Sequence, residues 1–350
     1  MDYTIVETRD MKASEPNDRA LVTFVVVAYN QEEFIRESVE SALSQTYQPL
    51  EIVLSDDCST DRTFEVMQEL ASSYSGPHSV RLVRNSANLG VLHHAIARGR
   101  EARGEIVIGQ AGDDISEPDR TAAVVDAFMA NPRAGCTFSQ VIWIDESGDE
   151  IEGRQQPRVS RPRLVTRADG GDPVSIIGCS AAYRKWVFDV PIDTENKGYA
   201  EDMVFSFFLD LAGSTAVPIE SALLRYRMHS RASTNVAPNP TEYEKNAYRT
   251  ASARLKFLDE CECIASKLGK EHALNLDELG KARTNAQTVV DWPDLSVGQR
   301  LKYVIPLNRR GAPLPIEARV WGAIRVLGRY PNYQPRQLLS RFQRQYRRAR

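Results

Sequence analysis

Apolar runs alternate with amphipathic helical stretches through the first third of this chain, and that alternation limits the fold more than any other feature. "LVTFVVVA" (21–28) is a continuous β-branched run, as expected of a strand buried on both faces. Asn30 opens "NQEEFIRESVESALSQ", where Glu33 completes a capping arrangement for a helix. "LEIVLS" (50–55) is a second strand, followed by "DDCSTD" and a helix to about Tyr74. "VRLVR" (80–84) is a third strand with a helix over 89–102, and "EIVIG" (105–109) is a fourth. Strands and helices in this order specify an α/β fold with a doubly wound, mostly parallel sheet. Ligands of such sheets bind outside the carboxyl ends of the strands.

Two acidic pairs, Asp56–Asp57 and Asp113–Asp114, follow strand ends and so could share one crevice. Adjacent carboxylates repel and raise one another's pKa unless a cation sits between them. Hard oxygen ligands of this kind suit Mg2+ or Mn2+ rather than zinc. A solvated turn before Pro118 would also accept two acids, and the Asp, Ser and Thr of "DDCSTD" would also cap the next helix. No glycine-rich phosphate loop of either common type is present, which argues against P-loop and NAD-binding readings.

After Pro118 a helix runs to about Ala130, and "CTFSQVIWI" (136–144) is another strand. Residues 146–173 form a long polar loop or hairpin insertion, whose Arg154, Arg158, Arg161, Arg163 and Arg167 either face an acidic or lipid-diphosphate acceptor or are simply solvated. "VSIIGCSAAYRKWVF" (174–188) returns to the core, and "GYAEDMVFSFFLDLAG" (198–213) is a helix opened by Glu201 and Asp202. The helix dipole accounts for Glu201. Asp202, beside the apolar "MVFSFF", is a candidate proton acceptor. "AVPIESALLRYRMH" (216–229) is a strand-like exit ending on His229, which either meets a phosphate or a metal or is merely hydrogen-bonded. His93 and His94 lie on a helix with one expected to be exposed, and neither is assigned a role.

The 350 residues are 42% hydrophobic and 26% charged, ordinary for a globular protein, and no run approaches the ~18–20 apolar residues of a membrane span. The start of the chain lacks a basic-then-apolar signal pattern, so a cytoplasmic location is expected, with five reduced cysteines rather than a disulfide framework. Net charge is −3, yet residues 301–350 hold twelve Lys/Arg and one acid, a local +11. "IEARVWGAIRVLG" (316–328) and "RFQRQYRRAR" read either as a membrane-surface segment or as a helix docked on the acidic remainder. The expected organisation is a polar lead-in over 1–20, a main domain over 21–235, and a helical C-terminal region over 236–350 carrying the basic tail.

"VVVAYNQEEFIRESVESALSQTY", "EIVLSDDCSTDRT", "NSANLGVLHHAIARGREARGEIVI", "GDDISEPDR" and "AEDMVFSFFLDLAG" follow in the order found in family 2 glycosyltransferases, which the chain resembles over about 21–230. The resemblance implies a GT-A fold and an inverting, metal-dependent transfer of one sugar, of hexosyltransferase type. The implied donor is a nucleoside-diphosphate sugar, UDP-linked by preference or dTDP-linked. The implied acceptor is a hydroxyl of a glycan or lipid-linked molecule, in surface polysaccharide or glycoconjugate synthesis. By position, Tyr29 and Asp56 or Asp57 would contact the base and ribose, and Asn88 would border the nucleotide. Asp113 or Asp114 would bind Mn2+ or Mg2+, the other the ribose or sugar. Asp202 matches the general base, with Glu201 and His229 as further candidates. Ala111 replaces an acid common in relatives, and the glutamine–arginine–tryptophan motif of processive synthases is absent, since "QQPRV" (155–159) comes too early. No nucleic-acid partner is implied, and a peripheral position on the inner face of the cell membrane would follow from the basic tail. The rival readings are a sugar-phosphate nucleotidyltransferase, which would need a basic glycine-rich loop where "AYNQEEF" stands, and a non-catalytic scaffold of the same fold.

Overall fold

The computed structural model describes residues 3–7, 19–156, 163–193, 201–229, 240–291 and 294–296. The basic segment over 301–350 lies outside the described residues, as do Arg158 and Arg161. The chain divides into two units, residues 1–233 with 259–279, and residues 234–258 with 280–350.

The first unit is built on one sheet. Its strands are β1 (Tyr3–Glu7), β2 (Val22–Ala28), β3 (Leu50–Asp56), β4 (Ser79–Asn85), β5 (Ile106–Ala111), β6 (Ile115–Ser116), β7 (Ala134–Ile144), β8 (Ala181–Arg184) and β9 (Thr215–Arg227), in the order β1-β4-β3-β2-β5-β8-β7-β9-β6. β4, β3, β2 and β5 run parallel, as the alternating sequence requires. Every residue of β3 and all but one of β2 are buried, because helices cover both faces. These helices are α1 (Ile35–Leu43), α2 (Thr63–Ser73), α3 (Val91–Glu101), α4 (Arg120–Ala130) and α5 (Glu201–Ala212). Phe24, Ile35, Ile52, Leu54, Met67 and Phe128 are almost fully buried, each worth ~1.5–3 kcal/mol of apolar transfer.

Register places the site. Ala28 pairs with Asp56 on one side of β2, and Val27 with Ala111 on the other. The carboxyl ends of β3, β2 and β5 are therefore level, and the two acidic pairs leave the sheet on either side of β2. Strand order reverses there, β3 and β4 lying to one side and β5 to the other, which is where such sheets open a crevice.

Three details differ from the sequence reading. The polar lead-in contains β1, which pairs antiparallel with β4. The helix expected from Asn30 begins at Ile35, because Asn30 sits at φ 52° and spends its side chain on the neighbouring loop. His93 and His94 are both buried. Beyond the sheet, α6 (Pro240–Lys267) and α7 (Leu276–Asp291) supply the C-terminal helices, and all five cysteines are free thiols. Among the described residues no helix is long and apolar enough to cross a membrane.

Candidate active site

The loops after β2 and β3 are laced together. Asn30 Oδ1 accepts from Thr60 N at 2.8 Å, and the amides of Asn30 and Gln31 donate to Ser59 Oγ and Thr63 Oγ1. Glu32 Oε2 accepts from Arg62 N, while Asp61 Oδ2 accepts from Glu32 N. The "STD" hydroxyls and carboxylate thus serve the loop opposite as well as the turn into α2. Tyr29, one step before this lacing, is 45% exposed.

The two acids after β3 have separate tasks. Asp57 is buried, and its oxygens accept from Asn85 Nδ2 at 2.8 Å, Leu89 N at 2.9 Å and Gly90 N at 3.0 Å. It holds the loop entering α3, where Gly90 has φ 77° and Asn88 Oδ1 accepts from the same Gly90 amide. Asp56 Oδ2 accepts from Ser59 N and meets Arg84 Nε at 3.3 Å. Its Oδ1 is buried and has no hydrogen-bond partner among the described residues. Burial, first of all, raises the Asp56 pKa. Of the pair, Asp56 is the one that keeps an unmatched acceptor.

The acids after β5 also diverge. Asp113 is partly exposed, and its Oδ2 lies 2.9 Å from Nε2 of His229, just beyond β9. The Phe34 ring lies 4.8 Å from that imidazole, centroid to centroid. Asp114 is held differently, and its Oδ2 has no hydrogen-bond partner among the described residues. It is fully buried, its Oδ1 accepts from Arg227 N at 3.0 Å, and burial followed by the charge of Asp113 pushes its pKa well up. Arg227, which the sequence reading passed over, runs beneath both acids and donates from Nε to the Asp113 carbonyl. The only trace it leaves in the sequence is an arginine two residues before His229 on an exit strand.

Glu201 and Asp202 occupy the first turn of α5. Gly178 makes room for Asp202: a methyl group placed on Gly178 would sit 2.9 Å from Asp202 Cβ and 3.2 Å from its Oδ2. Cys179 is half-buried beside this contact, and its thiol pKa is pushed well up, by burial first and then by Asp114, with Glu201 and Asp202 adding to it. Asp114, of the second acidic pair, and Asp202 thus lie within electrostatic reach of one thiol. The arginines of the insertion are used internally where described. Arg167 binds Asp169, Asp210 and the Ser214 carbonyl, Arg163 pairs with Asp172, and Arg154 lies 4.2 Å over the Trp143 ring.

Asp113 and His229 are the residues that could hold a divalent cation: a carboxylate oxygen and an imidazole nitrogen stand 2.9 Å apart, a donor set that suits Mn2+ better than Mg2+. The described residues hold no cluster of three His, Cys, Asp or Glu that could bind a metal by itself. Other positions around such a cation would fall to ligand oxygens or water.

Residues 23–190 match the family described as Glycosyl transferase family 2. The chain carries a family 2 glycosyltransferase domain. It is 30% identical over 172 residues to the putative glycosyltransferase EpsE of Bacillus subtilis, covering 48% of this chain and 59% of that one. It is 34% identical over 148 residues to the chondroitin synthase of Escherichia coli, covering 42% of this chain and 21% of that one. The chain thus spans less than two thirds of either relative. Two solved structures share the fold: S. aureus TarS 1-349 in complex with UDP-GlcNAc, at TM-score 0.50 and 16% identity over 88% of this chain and 79% of that one; and the mannosyltransferase PcManGT of Pyrobaculum calidifontis in complex with GDP-Man and Mn2+, at TM-score 0.50 and 19% identity over 89% and 88%. The domain has the GT-A architecture, with a mostly parallel central sheet.

Proposed function

We propose that this chain transfers one sugar from a nucleoside-diphosphate sugar, UDP-linked by preference or dTDP-linked, to a hydroxyl of a glycan or lipid-linked acceptor, with inversion at the anomeric carbon. The observation that carries this reading is the Asp113–His229 pair, set at a strand-order reversal across β2 from the unmatched Asp56 oxygen. The chondroitin synthase relative supports a glycan acceptor.

In this reading Asp56 Oδ1 accepts from the imide N–H of a pyrimidine and the exposed Tyr29 ring covers the base. Asn88 and the Asp57-bound loop wall the nucleotide. Asp113 and His229 would hold the divalent cation, Mn2+ or Mg2+. When bound, that cation neutralises charge gathering on the departing diphosphate. Asp202, held against Gly178, takes the proton from the acceptor oxygen as that oxygen attacks the anomeric carbon from the opposite face. Two stations on opposite sides of the sugar divide the task as inverting hydrolases divide theirs, but this site must also keep water from the donor. The basic 301–350 segment extends the reading to an anionic membrane surface, at ~1 kcal/mol per basic residue near the lipid.

The test is incubation with a panel of nucleotide sugars, glycan and lipid-linked acceptors, with and without Mn2+. Release of free nucleoside diphosphate supports transfer. Pyrophosphate would make the chain a nucleotidyltransferase, and silence throughout would make it a scaffold.

A further inference from the structure

We propose that Arg227 is a positioning residue, a buried clamp that fixes Asp113 opposite His229. The proposal rests on the reading of that pair as the cation station and assigns Arg227 no contact with substrate. Its side chain is 1% exposed, though arginine is among the residue types least often buried. Four of its five side-chain N–H groups reach acceptors on three separate segments. Nε donates to the Asp113 carbonyl at 3.0 Å, and Nη1 to the carbonyls of Asp145 at 3.2 Å and Glu146 at 2.9 Å. Nη2 donates to Glu37 of α1. Its backbone N–H holds Asp114 Oδ1 at 3.0 Å, so one residue ties down both members of the acidic pair.

The guanidinium also lies 5.0 Å over the Phe34 ring, the same ring that packs on His229. Arg227 therefore acts on both halves of the station. It anchors Asp113 by a hydrogen bond, and it fixes the aromatic floor of the imidazole through Phe34. A buried ion pair is a poor source of stability, because an apolar replacement of like volume often does as well. What an apolar residue cannot do is hold a carbonyl of the β5–β6 turn, the turn after β7 and α1 at fixed angles to one another. Lysine keeps the charge but lacks the planar fork, so Arg227→Lys separates charge from geometry.

The experiment measures Mn2+ binding to the full chain with UDP present, by the loss of the free-ion electron paramagnetic resonance signal, alongside turnover as a function of Mn2+. Removing a group that orients a ligand typically weakens metal binding ~10–100-fold, and that is expected for Arg227→Lys. Its kcat should return close to wild type at saturating Mn2+. A merely structural defect would instead lower kcat at every Mn2+ concentration with the binding isotherm unchanged, which would overturn the proposal. Glu37→Ala loosens the outer arm from an exposed position on α1 and carries the test if Arg227→Lys fails to fold; a shift of several-fold in the same isotherm is expected. An unchanged isotherm in Glu37→Ala, with Arg227→Lys folded and unchanged or not folded at all, overturns the clamp while leaving the station intact. Wild-type protein that binds no Mn2+, or binds it equally after His229→Ala, overturns the station itself.

Discussion

His229 Nε2 lies 2.9 Å from Asp113 Oδ2, across 116 positions of the chain. Under the proposed function, a divalent cation would take the place of the proton shared by this pair. Asp113→Asn and His229→Ala should each cut turnover by at least ~100-fold, more than loss of an orienting group does, and chelation should do the same to the wild type. Full activity in chelator, read by nucleoside diphosphate release, would remove the cation from the mechanism.

The neighbouring acid should behave differently. Asp114→Asn keeps an acceptor for the Arg227 amide and removes only an ionisable group whose charged form burial already disfavours, so it should fold and retain Mn2+ binding. Asp114→Ala leaves that N–H unmatched and should lose ~1–3 kcal/mol in denaturant unfolding. A loss of metal affinity in Asp114→Asn equal to that in Asp113→Asn would return Asp114 to the ligand set.

Asp56 Oδ1 is a buried acceptor in want of a donor. A hydrogen bond to a charged acceptor contributes ~1.5–3 kcal/mol, so Asp56→Asn should weaken UDP binding by about 10- to 100-fold. Asp57→Asn should instead unsettle the Leu89–Gly90 loop and lower the melting temperature. Thermal protection by guanosine-linked sugars alone would mean the base pocket has been misplaced.

His94 faces Ser55 Oγ at 2.6 Å in the core, and burial lowers its pKa to about 4 from 6.5. The unfolded chain therefore binds more protons between those values, and stability must fall as pH drops from 6.5 toward 4. The loss is on the order of 3 kcal/mol at the acid end. His94→Gln should flatten that part of the stability–pH curve, whatever its fixed cost at pH 8. Parallel curves for the two proteins would show that His94 does not carry the acid sensitivity.

The parallel strands were legible because each is a β-branched run long enough to be buried on both faces, and β2, β3 and β5 fall within a residue or two of their apolar limits. The division of labour within each acidic pair was not legible. Asp56 and Asp57 are adjacent, and so are Asp113 and Asp114. What each carboxylate is bonded to depends on Asn85, Gly90 and Arg227, partners up to 114 residues away. The start of α1 was misread for a similar reason, since Asn30 bonds across to Thr60 rather than along its own helix. Local pattern reports which residues are polar; only tertiary pairing reports what they are bonded to.

Gly178 and Asp202 make the sharpest test of the base, because their contact can be altered without touching the carboxylate. Asp202→Asn keeps the shape at the start of α5 and removes the proton acceptor. General-base catalysis contributes ~10²–10⁴-fold, so turnover should fall by that factor while UDP affinity holds. Glu201→Gln, at the same helix end, should be milder. Gly178→Ala introduces a methyl 2.9 Å from Asp202 Cβ, closer than carbon atoms tolerate, so the aspartate must move. A misplacement of about 1 Å can cost ~10²-fold, and the expected loss is in kcat, with little change in UDP binding. Adding Asp202→Asn to Gly178→Ala should then cost much less than it does alone, since both act through one proton transfer. Strictly additive losses would separate Gly178 from the base. Retained anomeric configuration in the product, read by NMR, would overturn the inverting mechanism itself.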